Sequence, residues 1–194
     1  MPGPALDAPA MASVGFFGKI PARGDFVRAG LPRSFTDPWD AWLEAVIAGS
    51  REVLGKRWLP AWMEAPIWHF ALPAGQCGPA PVLGVWMPSV DAAGRHFPLT
   101  LARVGVLPAD QAGWLTAAEA AGLRALQEDL PPEEIARLLA SPADAAAAAD
   151  AAEVAFWWTE GSPFVPAVRL ALAGLPDSAG FAAMLHAGGE GARG

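Results

Sequence analysis

The sequence contains no tyrosine and a single cysteine, Cys77, and only 17% of its residues are charged. One thiol cannot form an internal disulfide, which fits a reducing compartment. The low charge content stands against 53% hydrophobic residues, a composition that excludes a disordered chain. Nine tryptophans and nine phenylalanines supply large apolar side chains, so a chain of 194 residues can bury a substantial core.

The sequence also lacks an apolar run that could form one helix across a membrane. Its longest uncharged stretch, residues 65–90, is interrupted by five prolines and three glycines, which exclude a continuous helix. The first 14 residues lack the positively charged and apolar regions of a signal peptide. These absences predict a cytoplasmic protein without membrane insertion.

The formal net charge is -7 and the pI is about 4.9, which argues against nucleic acid as a partner. The charge is unevenly distributed, since residues 19–57 hold seven of the 13 basic residues and residues 110–160 hold ten acids. This asymmetry has two interpretations. It can orient the molecule on a charged protein partner, or it reflects solvated helix faces.

Apolar periodicity and turn residues predict one domain over residues 13–188, between a disordered leader (1–12) and a flexible tail (189–194). Strands are predicted at residues 13–17, 67–72, 82–87, 99–106, 156–158 and 168–170. Helices are predicted at 37–54, 58–62, 116–130, from 132 onward, and at 181–186. The alanine-rich residues 143–155 form either an exposed helix or a linker. This mixture favours a three-layer α/β/α sandwich with a central mixed sheet.

Three of these boundaries depend on capping residues. Asp37 is the predicted cap of the first long helix, with Pro38 in its first turn and Gly55 just after its end. Thr116 and Glu119 form a capping-box pattern that predicts the start of a later helix.

Two glycine-punctuated segments, residues 15–26 and 88–99, carry lysine or arginine close to aspartate in an otherwise apolar sequence. The candidate polar patch comprises Lys19, Arg23, Gly24 and Asp25 from the first segment and Ser89, Asp91, Gly94 and Arg95 from the second. We expect Asp25 or Asp91 to pair with Arg95 or Lys19 if the fold brings the segments together. The patch is then a surface that a partner recognises, a structural pin between two loops, or both.

The patch does not contain a complete catalytic motif. A phosphate-binding loop needs Ser or Thr after its lysine, whereas Ile20 follows Lys19. The segment still allows a site in which backbone N–H groups bind another anion. Ser89, Asp91 and His96 have the residue types of a hydrolase triad, but they lie within eight positions and no G-x-S-x-G elbow is present. We therefore expect no catalytic residue.

The sequence likewise indicates no metal site. His69, His96 and His186 are far apart, and none has a second ligand at metal-binding spacing. A single histidine inside an apolar strand, such as His69, is typical of a hydrogen-bonded structural residue. No cofactor is expected.

Six short motifs follow one another between residues 15 and 99: GFFGKIP (15–21), RGDF (23–26), WDAWL (39–43), PIWHF (66–70), GVWMPSVD (84–91) and GRHFPL (94–99). In this order they resemble the TagF (ImpM) family of bacterial type VI secretion. Beyond residue 110, only FWW at 156–158 is similar to the family pattern. The resemblance implies a single TagF-like domain with an α/β/α sandwich fold.

The resemblance also implies a function. Family members repress type VI secretion after translation and have no known catalytic activity. They are thought to engage a cytoplasmic scaffold that bears a forkhead-associated domain, alongside a threonine kinase and phosphatase pathway. The expectation is a non-enzymatic regulator that acts through protein–protein contacts, with any phosphatase being a separate protein.

Two other functions stay open. One is an enzyme or sensor that binds a nucleotide or another phosphorylated small molecule at Lys19, Asp25, Asp91 and Arg95. The other is a structural component of the secretion baseplate.

Overall fold

The computed structural model describes residues 12–128, 130–140 and 153–188. The predicted tail at 189–194 and residues 1–11 of the predicted leader lie outside the described residues. So does most of the alanine-rich segment predicted to be a helix or a linker.

Seven strands form one sheet in the order β2-β1-β5-β4-β3-β6-β7. They are β1 (Ser13–Gly18), β2 (Val27–Ala29), β3 (Trp68–Leu72), β4 (Val82–Met87), β5 (Leu99–Val104), β6 (Ala155–Thr159) and β7 (Val168–Leu172). The six strands expected from the apolar runs are confirmed within a few residues. β2 was not expected, because three residues are too few to show a periodicity.

Every neighbouring pair among these strands is antiparallel. The mixed sheet expected from the sequence is therefore wrong. The reason lies in the connections: the helical connections join β2 to β3 and β5 to β6, and neither pair is adjacent in the sheet. A parallel pair forms only when a crossover connection returns to a neighbouring strand.

The helices are α1 (Arg33–Leu54), α2 (Trp58–Met63), α3 (Gln111–Gln127), α4 (Pro132–Leu139) and α5 (Ser178–Leu185), with a 3-10 turn at Gly55–Arg57 between α1 and α2. All five were expected. The end of α1 is confirmed, since Gly55 follows it with a φ of 54°, a conformation that glycine adopts at little cost.

The predicted start of α1 at Asp37 is wrong. The helix begins one turn earlier, because the N–H groups of Phe35 and Thr36 both donate to the Pro32 carbonyl at 3.0 Å. This closes a turn before Pro38, which lies inside the helix and lacks an N–H to donate.

The predicted start of α3 at Thr116 is also wrong. Asp110 caps the helix, and its side chain accepts a hydrogen bond from the N–H of Gly113 at 2.8 Å. Thr116 lies inside the helix, where its hydroxyl donates to the Ala112 carbonyl at 3.0 Å. The capping-box pattern thus occurred by chance one turn into an existing helix.

The sheet buries apolar side chains on both faces. Along β4, Val82 and Trp86 belong to a cluster that includes residues of α1, α2 and α5, whereas Leu83, Val85 and Met87 belong to a second cluster with α3 and α4. Alternate side chains of a strand point to opposite faces, which explains the division. The protein is thus an α/β protein with an antiparallel sheet. Among the described residues, no helix is long and apolar enough to cross a membrane.

Candidate functional site

The candidate site lies where two loops meet at one end of the sheet. Loop 1 (residues 19–26) follows β1, and loop 2 (residues 88–98) precedes β5. Because β1 and β5 are antiparallel neighbours, with Gly18 opposite Leu99, the end of one strand lies beside the start of the other. The approach is close: a Cβ atom on Gly18 would lie 2.0 Å from the Pro98 carbonyl oxygen. Strand pairing alone therefore brings the loops together.

Lys19, Asp91 and Arg95 form an ion cluster between the loops. The Nζ atom of Lys19 lies 2.6 Å from Oδ2 of Asp91, and Nε of Arg95 donates to the same oxygen at 2.7 Å. The side chains of Lys19 and Asp91 are 7% and 0% exposed, whereas that of Arg95 is 58% exposed. The cluster joins a buried ion pair to a cation at the surface.

Asp91 also organises its own loop. Its Oδ1 atom accepts hydrogen bonds from the N–H groups of Ala93, at 2.9 Å, and Arg95, at 2.8 Å. The N–H of Gly94 donates to the Asp91 carbonyl at 2.9 Å, and Gly94 has a φ of 79°. Only glycine adopts this conformation readily, which explains its place in the turn.

Backbone contacts add to the connection between the loops. The Ala92 N–H donates to the Arg23 carbonyl at 2.9 Å, and the Arg95 guanidinium donates to the Gly24 carbonyl. The Ser89 hydroxyl donates to the Lys19 carbonyl at 2.7 Å. The pairing of Asp91 with both Lys19 and Arg95 is thus observed, while Asp25 forms no hydrogen bond or ion pair with any described residue.

Three aromatic rings pack together beside the ion cluster. Phe26 stacks on Phe17 at a centroid distance of 5.4 Å and meets the edge of Phe97 at 4.8 Å. Its ring also lies 5.0 Å from the Lys19 ammonium. Phe26 nevertheless stays 45% exposed. Sequence reasoning did not select Phe26 for the site, although it directly follows Asp25 in the RGDF motif.

A family model described as the TagF N-terminal domain, type VI secretion system-associated, matches residues 15–141. The protein belongs to the TagF family. A crystal structure of PA0076 from Pseudomonas aeruginosa PAO1 is similar to it, with a TM-score of 0.77 and 32% sequence identity over 92% of this chain and 96% of that chain. No curated protein matches the sequence. The expected family is confirmed, and it links this TagF-family protein to type VI secretion.

Hydrogen bonds to Asp91 determine the chemistry of this site. Burial of the Asp91 carboxyl opposes its ionisation, but hydrogen bonds from Lys19, Arg95 and Ala93 outweigh it and hold the pKa of Asp91 well below its ordinary value of 3.8. Such a carboxylate is a weak proton acceptor at neutral pH. The cluster is therefore suited to holding loops together.

Stability of this TagF-family protein should depend on pH through Asp91. Because its folded-state pKa is lowered, the unfolded state binds the proton first as the pH falls. The contribution is complete above the ordinary value of 3.8 and is lost as the pH drops toward the lowered pKa. We expect the free energy of unfolding, measured with urea at several pH values, to fall steeply below about pH 4.

The control is a pair of matched variants of this TagF chain. Asp91→Asn should flatten the decline in stability at low pH. Asp25→Asn is the control that removes a carboxylate without removing a contact, because Asp25 is exposed and unpaired among the described residues. The prediction would be contradicted if the free energy of unfolding fell equally with decreasing pH in the wild type and in Asp91→Asn.

Ser89 and His96, the other candidate residues of loop 2, do not form a hydrolase triad with Asp91. The Ser89 hydroxyl is bonded to the Lys19 carbonyl, and the Ser89 carbonyl accepts from Nε1 of Trp62 at 3.1 Å. Burial and the nearby Arg51 lower the pKa of His96. Within residues 12–128, 130–140 and 153–188, no group of three or more His, Cys, Asp or Glu could hold a metal ion.

His69, expected to be a structural residue, lies outside loops 1 and 2. Its Nε2 atom is 2.8 Å from the Glu119 carboxylate, and its ring stacks on Trp158 at 5.5 Å. Sequence reasoning missed Glu119 as a partner, because the contact joins β3 to α3 across 50 residues of chain.

Proposed function

We propose that this protein is a non-enzymatic regulator that represses type VI secretion after translation by binding the cytoplasmic scaffold with a forkhead-associated domain. Family membership links the chain to type VI secretion. The observation that carries the proposal is the ion cluster, whose charges are satisfied within the protein. A site built in this way presents a preformed surface rather than a reactive group.

The proposed contact surface is the outer side of loop 1. Asp25 is exposed and unpaired among the described residues, and Phe26 is 45% exposed while two other rings hold it in place. An aromatic side chain that is already ordered loses little entropy on binding, which suits it to anchor a protein interface.

The wider proposal follows from the same partner. The scaffold is cytoplasmic, so the protein acts in the cytoplasm, and the associated threonine phosphatase pathway is a further proposed partner. The two apolar clusters on opposite faces of the sheet support a three-layer α/β/α arrangement. In this arrangement the strand ends, where the two loops meet, are left free for the partner.

Charge reversal at Asp25 tests the contact surface. We expect Asp25→Lys to weaken capture of the purified scaffold by about 10-fold or more, because the new charge opposes a partner surface that accommodates a carboxylate. Secretion should rise in cells that carry this variant. Capture is measured by surface plasmon resonance, and secretion by the amount of protein that the type VI secretion system releases into the medium.

Glu44→Lys, an equal charge reversal on an exposed residue in the middle of α1, is the matched control and should change neither readout. Wild-type protein that fails to bind the scaffold, or secretion that is unchanged after deletion of the gene, would refute the proposed function.

Two other functions are less well supported. A small-molecule sensor at Lys19 and Asp91 would need free charges, but these two groups neutralise each other and are buried. Calorimetry that shows saturable heat with common nucleotides would revive it. A baseplate component would be recovered stoichiometrically with the assembled, active secretion apparatus, whereas a repressor should be absent from it.

A further inference from the structure

A cavity of about 330 Å³ lies between the edge strand β2 and the start of α1. It lies outside the ion cluster and plays no part in the proposed function. Its lining residues are Arg28, Ala29, Gly30, Leu31, Arg33 and Thr36. The ionisable residues among them are both arginines, so the lining carries positive charge only.

Neither arginine is used for pairing within the described part of the chain. Arg28 and Arg33 are exposed, and neither forms an ion pair or a side-chain hydrogen bond with a described residue. A guanidinium group offers several N–H donors in a planar fork that matches the oxygens of a phosphoryl group. Both arginines are thus available to an anion.

The start of α1 adds backbone donors. The helix has 22 residues, no acidic residue in its first turn, and no side-chain cap at Pro32. The N–H groups of Phe35 and Thr36 are satisfied by the Pro32 carbonyl. In the described structure, the N–H groups of Arg33 and Ser34 lack an acceptor. Unsatisfied N–H groups at the positive end of a long helix attract anions.

Thr36 provides an independent observation that points to a ligand. It lines the cavity and is only 6% exposed, yet its hydroxyl forms no hydrogen bond with any described residue. The Pro32 carbonyl, which a threonine at this position would ordinarily use, already accepts two N–H groups. The hydroxyl reaches the cavity instead of being enclosed in the core, so it is free to donate to an oxygen of a bound ligand.

We propose that this cavity binds a phosphoryl group. Its oxygens would accept from the guanidinium groups of Arg28 and Arg33, from the first N–H groups of α1, and from the Thr36 hydroxyl. Asp37 follows Thr36 in the helix but does not line the cavity. The source of the group is either free phosphate or a phosphorylated side chain, which share this chemistry.

Titration followed by amide chemical shifts tests the site. The probes are inorganic phosphate and blocked phosphoserine, each added to the full chain at constant ionic strength. We expect saturable shifts at Gly30, Arg33 and Ser34. Arg28→Gln and Arg33→Gln should each weaken binding by about 10-fold or more, since each removes charge-assisted hydrogen bonds. Thr36→Val, which keeps the side-chain shape, should weaken binding to a smaller extent.

Arg57→Gln is the matched control, because Arg57 is an exposed arginine outside the cavity, and it should leave the affinity unchanged. Tighter binding of phosphoserine than of phosphate would assign a phosphorylated side chain, and the reverse order would assign free phosphate. Either order supports the site. Absence of saturable shifts with both probes, or equal affinities for Arg57→Gln and Arg33→Gln, would overturn it. Neither result depends on scaffold binding.

Discussion

Lys19→Met should lower the free energy of unfolding by about 3 kcal/mol, the low end of the cost of removing one partner from a buried ion pair. The substitution keeps the side-chain length but removes the ammonium that lies 2.6 Å from Asp91. Arg95 stays bonded to the same carboxylate oxygen, so the loss is smaller than for a fully isolated charge. The measurement is urea denaturation at neutral pH.

Lys56→Met is the matched control, because Lys56 is exposed and its replacement should change stability by less than about 0.5 kcal/mol. Equal stability losses for the two lysine variants would contradict the role of the ion cluster. Lys19→Met should also bind the scaffold more weakly than its stability loss alone explains, since loop 1 loses its ion pair with loop 2.

The second large effect is expected at Trp39, in the cluster between α1 and the sheet. Trp39 is fully buried, and its ring stacks on those of Phe70 and Trp157 at centroid distances of 4.8 and 6.1 Å. Its Nε1 donates to the Thr100 hydroxyl on β5 at 2.9 Å. We expect Trp39→Ala to lower the free energy of unfolding by about 3–5 kcal/mol, because it removes the packing and leaves a cavity. Urea denaturation measures this loss.

A double-mutant cycle separates the hydrogen bond from the packing. Trp39→Phe keeps a ring but leaves the buried Thr100 hydroxyl without its donor, at a cost of about 1–3 kcal/mol. Thr100→Val removes the hydroxyl, so the double variant should lose less than the sum of the two single variants. Additive losses would show that the two groups are not coupled.

These variants separate folding from recognition. Asp25→Lys changes an exposed residue and should reduce scaffold binding at unchanged stability. Trp39→Ala changes the core and should reduce stability, with binding lost only in proportion to the unfolded fraction. Lys19→Met should affect both properties, because the ion cluster joins the core of the protein to the surface of loop 1.

Local sequence signals predicted those elements whose cause is local. β1 ends at Gly18 and α1 ends before Gly55, as the glycines indicate, and α4 begins at Pro132. The start of α1 could not be predicted in this way. It depends on hydrogen bonds to the Pro32 carbonyl, and Asp37 matched the preferred cap equally well.

The order and direction of the strands likewise could not be predicted from local sequence, because they depend on contacts between distant parts of the chain. Apolar runs identify strands, but which strands are neighbours and in which direction they run depends on the connections between them. The edge strand β2 is too short to be recognised from its own residues, and it becomes a strand because Phe17 lies opposite Arg28 in the adjacent β1.

The sequence by itself determined the family and the main elements, and it indicated the two charged segments that the fold brings together. Tertiary structure decided which aspartate is the buried one. Asp25 and Asp91 lie in similar glycine-containing, charged segments, so local chemistry does not distinguish them. Antiparallel pairing of β1 with β5 brings Asp91 to Lys19, 72 residues away in the chain, whereas Arg95 binds the same carboxylate from within loop 2. Asp25 is left exposed, because the partner of an aspartate at this distance depends on tertiary positions and not on local sequence.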